Sequence, residues 1–106
     1  MLNKHSQDKP MAEIIEVVTI GTAADNINSI PDDDYMSGHH ARVTFYKDPY
    51  AIVIEDLGST NGIWINGVHT RYERALQPGD EIRIGRTVWK IPTLGDVLEE
   101  MIRDGA

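Results

Sequence analysis

The sequence lacks cysteine altogether and has few aromatic residues, with one phenylalanine and two tryptophans among its 106 residues. Without cysteine, disulfide bonds and thiolate zinc sites are excluded, and a reducing compartment is favoured. No apolar run approaches the roughly 20 residues that a helix needs to cross a bilayer. The N-terminus also lacks the apolar core of a secretory signal, so we expect a cytoplasmic location.

Basic residues are scarce as well. The chain has 10 Lys and Arg against 17 Asp and Glu, which gives a formal net charge of -7 at pH 7. Nucleic acids and anionic lipid surfaces are bound through basic patches, so we expect neither a nucleic-acid partner nor membrane insertion. The length suits one domain, and the 41% hydrophobic content is typical of a globular protein.

Two groups of residues have the composition of metal ligands. His39 and His40 are adjacent, but neighbours on a strand point to opposite faces, so we predict that one of them is a buried, hydrogen-bonded structural residue. The three consecutive carboxylates at 32–34 lack the glycine turn and the distant glutamate of a calcium loop, which predicts a solvated loop. We therefore expect no metal ion.

The sequence also lacks a convincing catalytic set. Ser37 or Ser59 could be combined with a histidine and Asp56 into a hydrolase triad, but no Gly-x-Ser-x-Gly elbow presents the nucleophile. The loop at 58–62 has neither the Gly-Lys-Ser/Thr ending nor the following helix of a phosphate-cradling loop. We predict a protein without enzymatic activity and without a cofactor.

The strongest local signal that is present is a pair of Asn-Gly turns, at 61–62 and 66–67. Asn and Gly accept positive φ at little steric cost, so Asn-Gly favours tight turns. The apolar triplet 63–65 between them is typical of a short strand, which we expect to pair with 68–70 as a hairpin. The preceding loop, 59–61, is uncharged and carries two hydroxyls and an amide, a composition suited to holding a ligand by hydrogen bonds.

Further β-branched or alternating apolar segments predict an all-β sandwich or barrel. The remaining strands are expected at 14–20, 41–46, 50–55, 81–84 and 87–91, with the first and third of these buried on much of both faces. Residues 22–36 and 70–78 are expected to be irregular.

The two ends of the chain have different patterns from the middle. Residues 1–11 are polar and aperiodic, which predicts a flexible tail before a domain at 12–92. Leu94, Val97, Leu98 and Met101 have the spacing of an amphipathic helix, which we place at 93–106. We expect this short C-terminal helix to pack on the flank of its own domain, with a dimer contact or a linker helix as the alternatives.

The order of the short motifs resembles the forkhead-associated (FHA) domain family. That family has Gly-Arg after the first strands, then Ser-x-x-His, Ser-x-Asn-Gly, Asn-Gly, and Gly-Asp-x-Ile with a final glycine. The corresponding residues here are Gly21-Thr22, Ser37-Gly38-His39-His40, Ser59-Thr60-Asn61-Gly62, Asn66-Gly67, Gly79-Asp80-Glu81-Ile82 and Gly85. The resemblance implies an FHA/SMAD-like β-sandwich of about eleven strands whose loops at one end bind phosphothreonine peptides.

The resemblance also implies roles for individual residues. Ser37 and Thr60 are expected to hydrogen-bond the phosphate, Asn61 to hold the peptide backbone, and His40 to brace the binding loops from behind. The other residues expected at the peptide-binding rim are Thr22, Gly38 and His39. The other expected structural supports are Gly21, Ser59, Gly62, Asn66 and Gly67.

Two departures from the family pattern concern the phosphate. The arginine of Gly-Arg is Thr22, and the basic or polar residue that often follows the motif serine is Gly38. A phosphate near charge -2 is normally met by arginine, and one such bond contributes roughly 1.5–3 kcal/mol. Basic groups that could replace it from another direction are Arg42, Arg71, Arg86 and protonated His39.

Two functional hypotheses follow from the resemblance and its departures. The first is a phosphothreonine-peptide reader with a weakened phosphate pocket, in which the acidic loop at 32–34 repels the phosphate further. The second is an FHA-like module that binds an unphosphorylated protein partner in the assembly of a larger signalling or secretion complex. In either case we expect a monomer or a weak dimer.

Overall fold

The computed structural model describes residues 12–105 as a β-sandwich followed by one helix. The strands are β1 (Glu13–Gly21), β2 (Asn28–Ser29), β3 (Ala41–Lys47), β4 (Ala51–Asp56), β5 (Ile63–Ile65), β6 (Val68–Thr70), β7 (Arg74–Leu76), β8 (Glu81–Ile84) and β9 (Thr87–Lys90). The helix is α1 (Leu94–Gly105). The flexible tail predicted at 1–11 lies outside the described residues.

The strands form two sheets, which confirms the predicted all-β sandwich. One sheet has the order β2-β1-β3-β4-β7 and the other the order β6-β5-β8-β9. The pairings are antiparallel except for the two-residue contact of β1 with β2. The core between the sheets consists of Ile20, Met36, Ala41, Ile54, Ile63, Ile65, Leu76, Ile82 and Ile84. Burial of these aliphatic side chains supplies the main driving force for folding.

The described residues form nine strands, whereas the resemblance implied about eleven. The segments around 33–37 and 57–62 are turns whose backbone N–H groups are bound by side chains instead of by a neighbouring strand. Conversely, β2 and β7 were expected to be irregular. They are edge strands of two and three residues, too short to carry an alternating pattern.

The predicted burial of β1 on both faces is wrong for its first half. Ile14 and Ile15 are more than half exposed, and the core reaches β1 only at Val18 and Ile20. β4 is likewise half-buried along most of its length, with only Ile54 fully enclosed. The prediction from their continuous apolar sequences therefore overestimated how much of β1 and β4 the second sheet covers.

Helix α1 begins at a capping box. The backbone N–H of Thr93 donates to the Asp96 carboxylate at 3.0 Å, and the Asp96 N–H donates to the Thr93 hydroxyl at 3.1 Å. The expectation that its apolar stripe packs on the sandwich is wrong, because Leu94 is 72% exposed and Met101 is 62% exposed. Among the described residues, no helix has the length and hydrophobicity needed to cross a membrane.

The acidic loop at 32–34 is not uniformly solvated, which corrects a further expectation. Asp33 is 6% exposed. Its carboxylate accepts hydrogen bonds from the Tyr35 N–H at 3.0 Å, the Arg86 N–H at 2.8 Å and the Thr87 hydroxyl at 2.7 Å. A Cβ on Gly85 would lie 2.6 Å from this carboxylate, so the turn between β8 and β9 is fitted closely around it. Asp33 thus fastens the 31–38 loop to the second sheet.

Burial of Asp33 by itself raises its pKa, but the bonds from the Thr87 hydroxyl and from the backbone outweigh this, so the pKa lies below its ordinary value. We expect Asp33→Asn to lower the free energy of unfolding at pH 7 by about 1–3 kcal/mol, because a neutral amide loses the charge-assisted bonds. A lowered pKa contributes stability above the unfolded value and loses it as the pH falls through the folded value. The difference between variant and parent should therefore shrink below about pH 4, as measured by urea unfolding.

The neighbouring Asp34→Asn is the matched control, since Asp34 is exposed and should change stability by less than about 0.5 kcal/mol. Equal losses in the two variants, or a loss at Asp33 that is the same at every pH, would contradict the bridging role.

Candidate functional site

The strand register brings the candidate residues to one end of the sandwich. Ile20 at the end of β1 pairs with Ala41 at the start of β3, and Ala41 pairs with Asp56 at the end of β4. The loop at 22–40 and the loop at 57–62 therefore emerge at the same end. Both loops contain motifs that the sequence had singled out.

His40 lies between these two loops and is fully buried. Its Nδ1 accepts a hydrogen bond from the Ser37 N–H at 3.0 Å, so the ring proton belongs on Nε2, which donates to the Gly62 carbonyl at 2.7 Å. Its backbone N–H donates to Ile20 and its carbonyl accepts from Leu57, each at 2.9 Å. His40 is thus the buried, hydrogen-bonded member of the histidine pair. Its ring connects the Ser37 loop to the Gly62 loop.

His39 has a different environment from its neighbour. It is exposed, and its Nε2 lies 2.8 Å from the Asp25 carboxylate on the same loop. The two adjacent imidazoles therefore face different surroundings, although neither histidine lies on a strand, since both precede β3. Within the described part of the chain, no three His, Asp or Glu side chains are close enough to share a metal ion.

The loop from Asp56 to Gly62 is organised by its own side chains. The Asp56 carboxylate accepts from the N–H groups of Gly58 and Ser59, each at 3.1 Å, and from the Ser59 hydroxyl. The Ser59 oxygen in turn accepts from the Gly62 N–H at 2.8 Å. Because the Ser59 hydroxyl donates to Asp56 and the residue is buried, Ser59 shapes the loop and is not presented as a nucleophile. Sequence reasoning missed this role of Asp56, although an Asp followed by Ser three residues later is a known local turn signal.

Ser37, Thr60 and Asn61 lie together on the rim of these loops. The Ser37 hydroxyl accepts from the Thr60 N–H at 3.1 Å, which joins the two loops at their surface. The Asn61 side-chain amide donates to the Tyr35 carbonyl at 3.0 Å. Thr60 is exposed, and Ser37 and Asn61 are half-buried. These bonds therefore bring Ser37, Thr60 and Asn61 together where the two loops meet.

Gly21, Thr22 and Gly38 form the neighbouring part of the rim. The Thr22 N–H donates to the Ser37 carbonyl at 3.1 Å, and a Cβ on Gly21 would lie only 2.1 Å from the Gly38 carbonyl oxygen. Gly21 is therefore required for the close approach of β1 to the Ser37 loop. At Gly38, in contrast, a Cβ would meet nothing within 4 Å, so the backbone there could carry a larger side chain.

Side chains from neighbouring segments fix the two Asn-Gly turns. Asn66 has a φ of 53°. Its side chain donates to the Asp80 carboxylate and accepts from the Glu81 N–H, each at 2.9 Å. Gly67 completes the predicted hairpin between β5 and β6. At Gly62 a Cβ would lie 2.3 Å from His69 Nε2, so this turn excludes any side chain.

Basic side chains flank the rim on two sides. Arg71 donates to the Ser59 carbonyl at 2.8 Å and to the Thr60 carbonyl at 2.9 Å. On the other side, Arg83 lies over the Trp64 ring at 4.2 Å and Arg86 over the Tyr35 ring at 4.4 Å. Together with Asn61 and Gly85, the two arginine–aromatic pairs line a groove of about 340 Å³. Arg71 is not part of this groove.

Comparisons with known proteins agree with this architecture. The protein-family model for the FHA domain matches residues 18–85. The FHA domain-containing protein FhaB of Mycobacterium tuberculosis is 36% identical over 70 residues, which are 66% of this chain and 43% of that protein. The chain thus spans less than half the length of the curated relatives it matches.

Solved structures give the same result for the fold. The FHA domain of CT664 from Chlamydia trachomatis has a TM-score of 0.67 at 23% identity, over 74% of this chain and 76% of that chain. Mycobacterium tuberculosis EmbR, solved in complex with a low-affinity phosphopeptide, has a TM-score of 0.66 at 26% identity, over 76% of this chain and 23% of that one.

We expect His40→Ala to lower the free energy of unfolding by about 2–4 kcal/mol, because it removes two ring hydrogen bonds and leaves a cavity between the loops. His39→Ala is the adjacent control and should cost less than about 0.5 kcal/mol, since that ring is exposed. Urea unfolding of the two variants measures the difference. Similar losses at both positions would show that the buried ring does not connect the loops.

Proposed function

This chain belongs to the FHA domain family, and from that premise we propose that it is a protein-interaction module that binds phosphothreonine-containing peptides at the rim formed by Ser37, Thr60 and Asn61. The observation that carries the proposal is the hydrogen bond between the Ser37 hydroxyl and the Thr60 N–H. It holds the Ser37 hydroxyl of one loop against the backbone of Thr60 in the other, and the amide of the next residue, Asn61, is bonded to the Tyr35 carbonyl of the Ser37 loop.

These groups suit a phosphate monoester. Phosphothreonine presents three acceptor oxygens with a charge of about -1.5 to -2 at pH 7. In the proposed complex the hydroxyls of Ser37 and Thr60 donate to phosphate oxygens, and Asn61 binds the backbone of the peptide. The buried His40 keeps the two loops at a fixed separation, so little conformational entropy is lost when the phosphate binds.

The peptide residues beside the phosphothreonine would follow the rim into the groove next to Asn61. Tyr35 and Trp64 line this groove, and Arg83 and Arg86 lie over their rings, so the groove offers guanidinium groups and the ring atoms that they leave uncovered. Stacked guanidinium groups keep their outer N–H donors available to acceptors. The relative EmbR was solved with a phosphopeptide, which supports a peptide partner for this chain.

The phosphate pocket is proposed to be weaker than in family members that carry the Gly-Arg motif. Thr22 supplies no charge, and Gly38 adds no side chain to the rim. One missing charge-assisted bond corresponds to roughly a tenfold to hundredfold loss of affinity. The same two residues favour the second candidate function, an FHA-like scaffold module whose partner is not phosphorylated.

Calorimetry with a phosphothreonine peptide library and unphosphorylated twins tests the proposal. We expect phosphate-dependent binding that is weakened at least about tenfold by Ser37→Ala and by Asn61→Ala, because each loses direct bonds to the ligand. Thr44→Ala, on β3 away from the loops, is the control and should bind as the parent does. Equal affinity for a peptide and its unphosphorylated twin would instead support the scaffold function.

Thr22→Arg should tighten phosphopeptide binding by roughly tenfold to hundredfold, because it adds the guanidinium that the pocket lacks. Thr44→Arg adds the same charge on the sheet and controls for a general effect of net charge. Equal tightening by both variants would show long-range attraction only. No change at Thr22 would mean that the phosphate binds elsewhere.

A further inference from the structure

We propose that Arg71 supplies the positive charge for the phosphate in this chain, in the role that the arginine of Gly-Arg would otherwise fill. The assignment rests on the proposed phosphothreonine pocket and names the residue that completes it. Arg71 follows the end of β6, whereas Thr22 follows the end of β1, so the charge would reach the phosphate from a different strand.

The three candidate arginines, Arg42, Arg71 and Arg86, differ in the groups that they contact. Arg42 is paired with Glu55 on the neighbouring strand β4. Arg86 lies over the Tyr35 ring, on the groove beside Asn61. Arg71 is the candidate whose guanidinium contacts the residue carrying a phosphate-binding hydroxyl, through the Thr60 carbonyl at 2.9 Å.

The geometry holds the Arg71 guanidinium in place before any ligand binds. Its Nη1 donates to the Ser59 carbonyl at 2.8 Å while its Nη2 donates to the Thr60 carbonyl, so two of its five N–H donors fix the orientation of the planar group. The Arg71 side chain is still 43% exposed. The guanidinium therefore remains partly accessible to solvent beside the backbone of Thr60.

Asp56 is the charged group that faces Arg71 from the other side. Its carboxylate lies 3.6 Å from Arg71 Nη1, and its side chain is 4% exposed. That carboxylate already accepts bonds from Gly58 and Ser59, so it is satisfied without Arg71. The buried carboxylate reduces the positive potential of Arg71, and the exposed side of the guanidinium remains open to a phosphate.

His69 on β6 is a second side chain near the rim that can carry a proton, with its Nε2 2.9 Å from the Asn61 carbonyl. The phosphate itself has a second pKa of about 6, so a pH profile would change the charge of the ligand as well as that of the protein. Ionic strength separates a direct charge from a structural role more cleanly. Salt screens an exposed charge, with a Debye length near 10 Å at 0.1 M and near 3 Å at 1 M, but it leaves loop geometry unchanged.

The experiment measures the affinity of the full chain for a phosphothreonine peptide in about 0.1 M and about 1 M NaCl. We expect Arg71→Gln to weaken binding by roughly tenfold to hundredfold at low salt and by clearly less at high salt. Arg71→Lys keeps the positive charge but loses the paired hydrogen bonds to the Ser59 and Thr60 carbonyls, and it should retain most of the affinity. Arg42→Gln removes the same charge at the Glu55 pair and should bind as the parent does.

A double variant tests whether the two positions are equivalent. Thr22→Arg should restore binding in the Arg71→Gln background, because the charge then comes from the other strand. The inference is overturned if Arg71→Gln binds like Arg42→Gln. It is also overturned if Arg71→Lys is as weak as Arg71→Gln at both salt concentrations, which would mark a structural role alone. A parent chain that binds no phosphopeptide would overturn the proposed function itself.

Discussion

One buried imidazole joins the two loops that carry the candidate site at one end of the sandwich. His40 accepts a bond from the Ser37 N–H and donates one to the Gly62 carbonyl, so a single ring sets the distance between two loops that are far apart in sequence. Both bonds require the neutral ring with its proton on Nε2. A backbone N–H and a backbone carbonyl that would otherwise lie unpaired in the interior are thereby satisfied. The position of every rim residue depends on this separation.

Buried aspartate carboxylates fix the individual loops by accepting hydrogen bonds, mostly from backbone N–H groups. Asp33 joins the 31–38 loop to the turn between β8 and β9, and Asp56 organises the loop that carries Ser59. Asp80 bonds the Gln77 N–H and the Asn66 amide, and these bonds place its pKa below the ordinary value. Several carboxylates of this acidic chain thus accept hydrogen bonds from backbone N–H groups and hold the loops in shape.

The sequence predicted the features that depend on local chemistry. The Asn-Gly turns and the hairpin of β5 and β6 follow from φ preferences and from the β propensity of the triplet between the turns. The burial of one histidine was predicted correctly, but from an alternation that does not apply, since both histidines precede β3. The motif order indicated the family and therefore the sandwich. These signals are readable because each is contained within a few neighbouring residues.

The errors concern properties that depend on distant parts of the chain. Asp33 is buried because Arg86 and Thr87 supply donors more than fifty positions away, and no local pattern encodes that pairing. The exposed first half of β1 and the exposed stripe of α1 depend on how far the second sheet extends. Edge strand β7 exists because β4 offers it a partner, with Ile52 opposite Leu76.

In the proposed complex, the rim separates two properties that the family's Gly-Arg arginine combines, namely hydrogen bonding to the phosphate and positive charge. Hydrogen bonds from fixed hydroxyls depend steeply on distance and angle, so they recognise the shape of a tetrahedral phosphate. Charge acts over a longer range and depends less on direction, so it sets affinity and tolerates several positions around the loops. Loops from both sheets meet at this end, and the strand that supplies the cation can therefore change while Ser37, Thr60 and Asn61 stay in place. For this physical reason, a threonine at position 22 is compatible with the phosphate recognition that we propose.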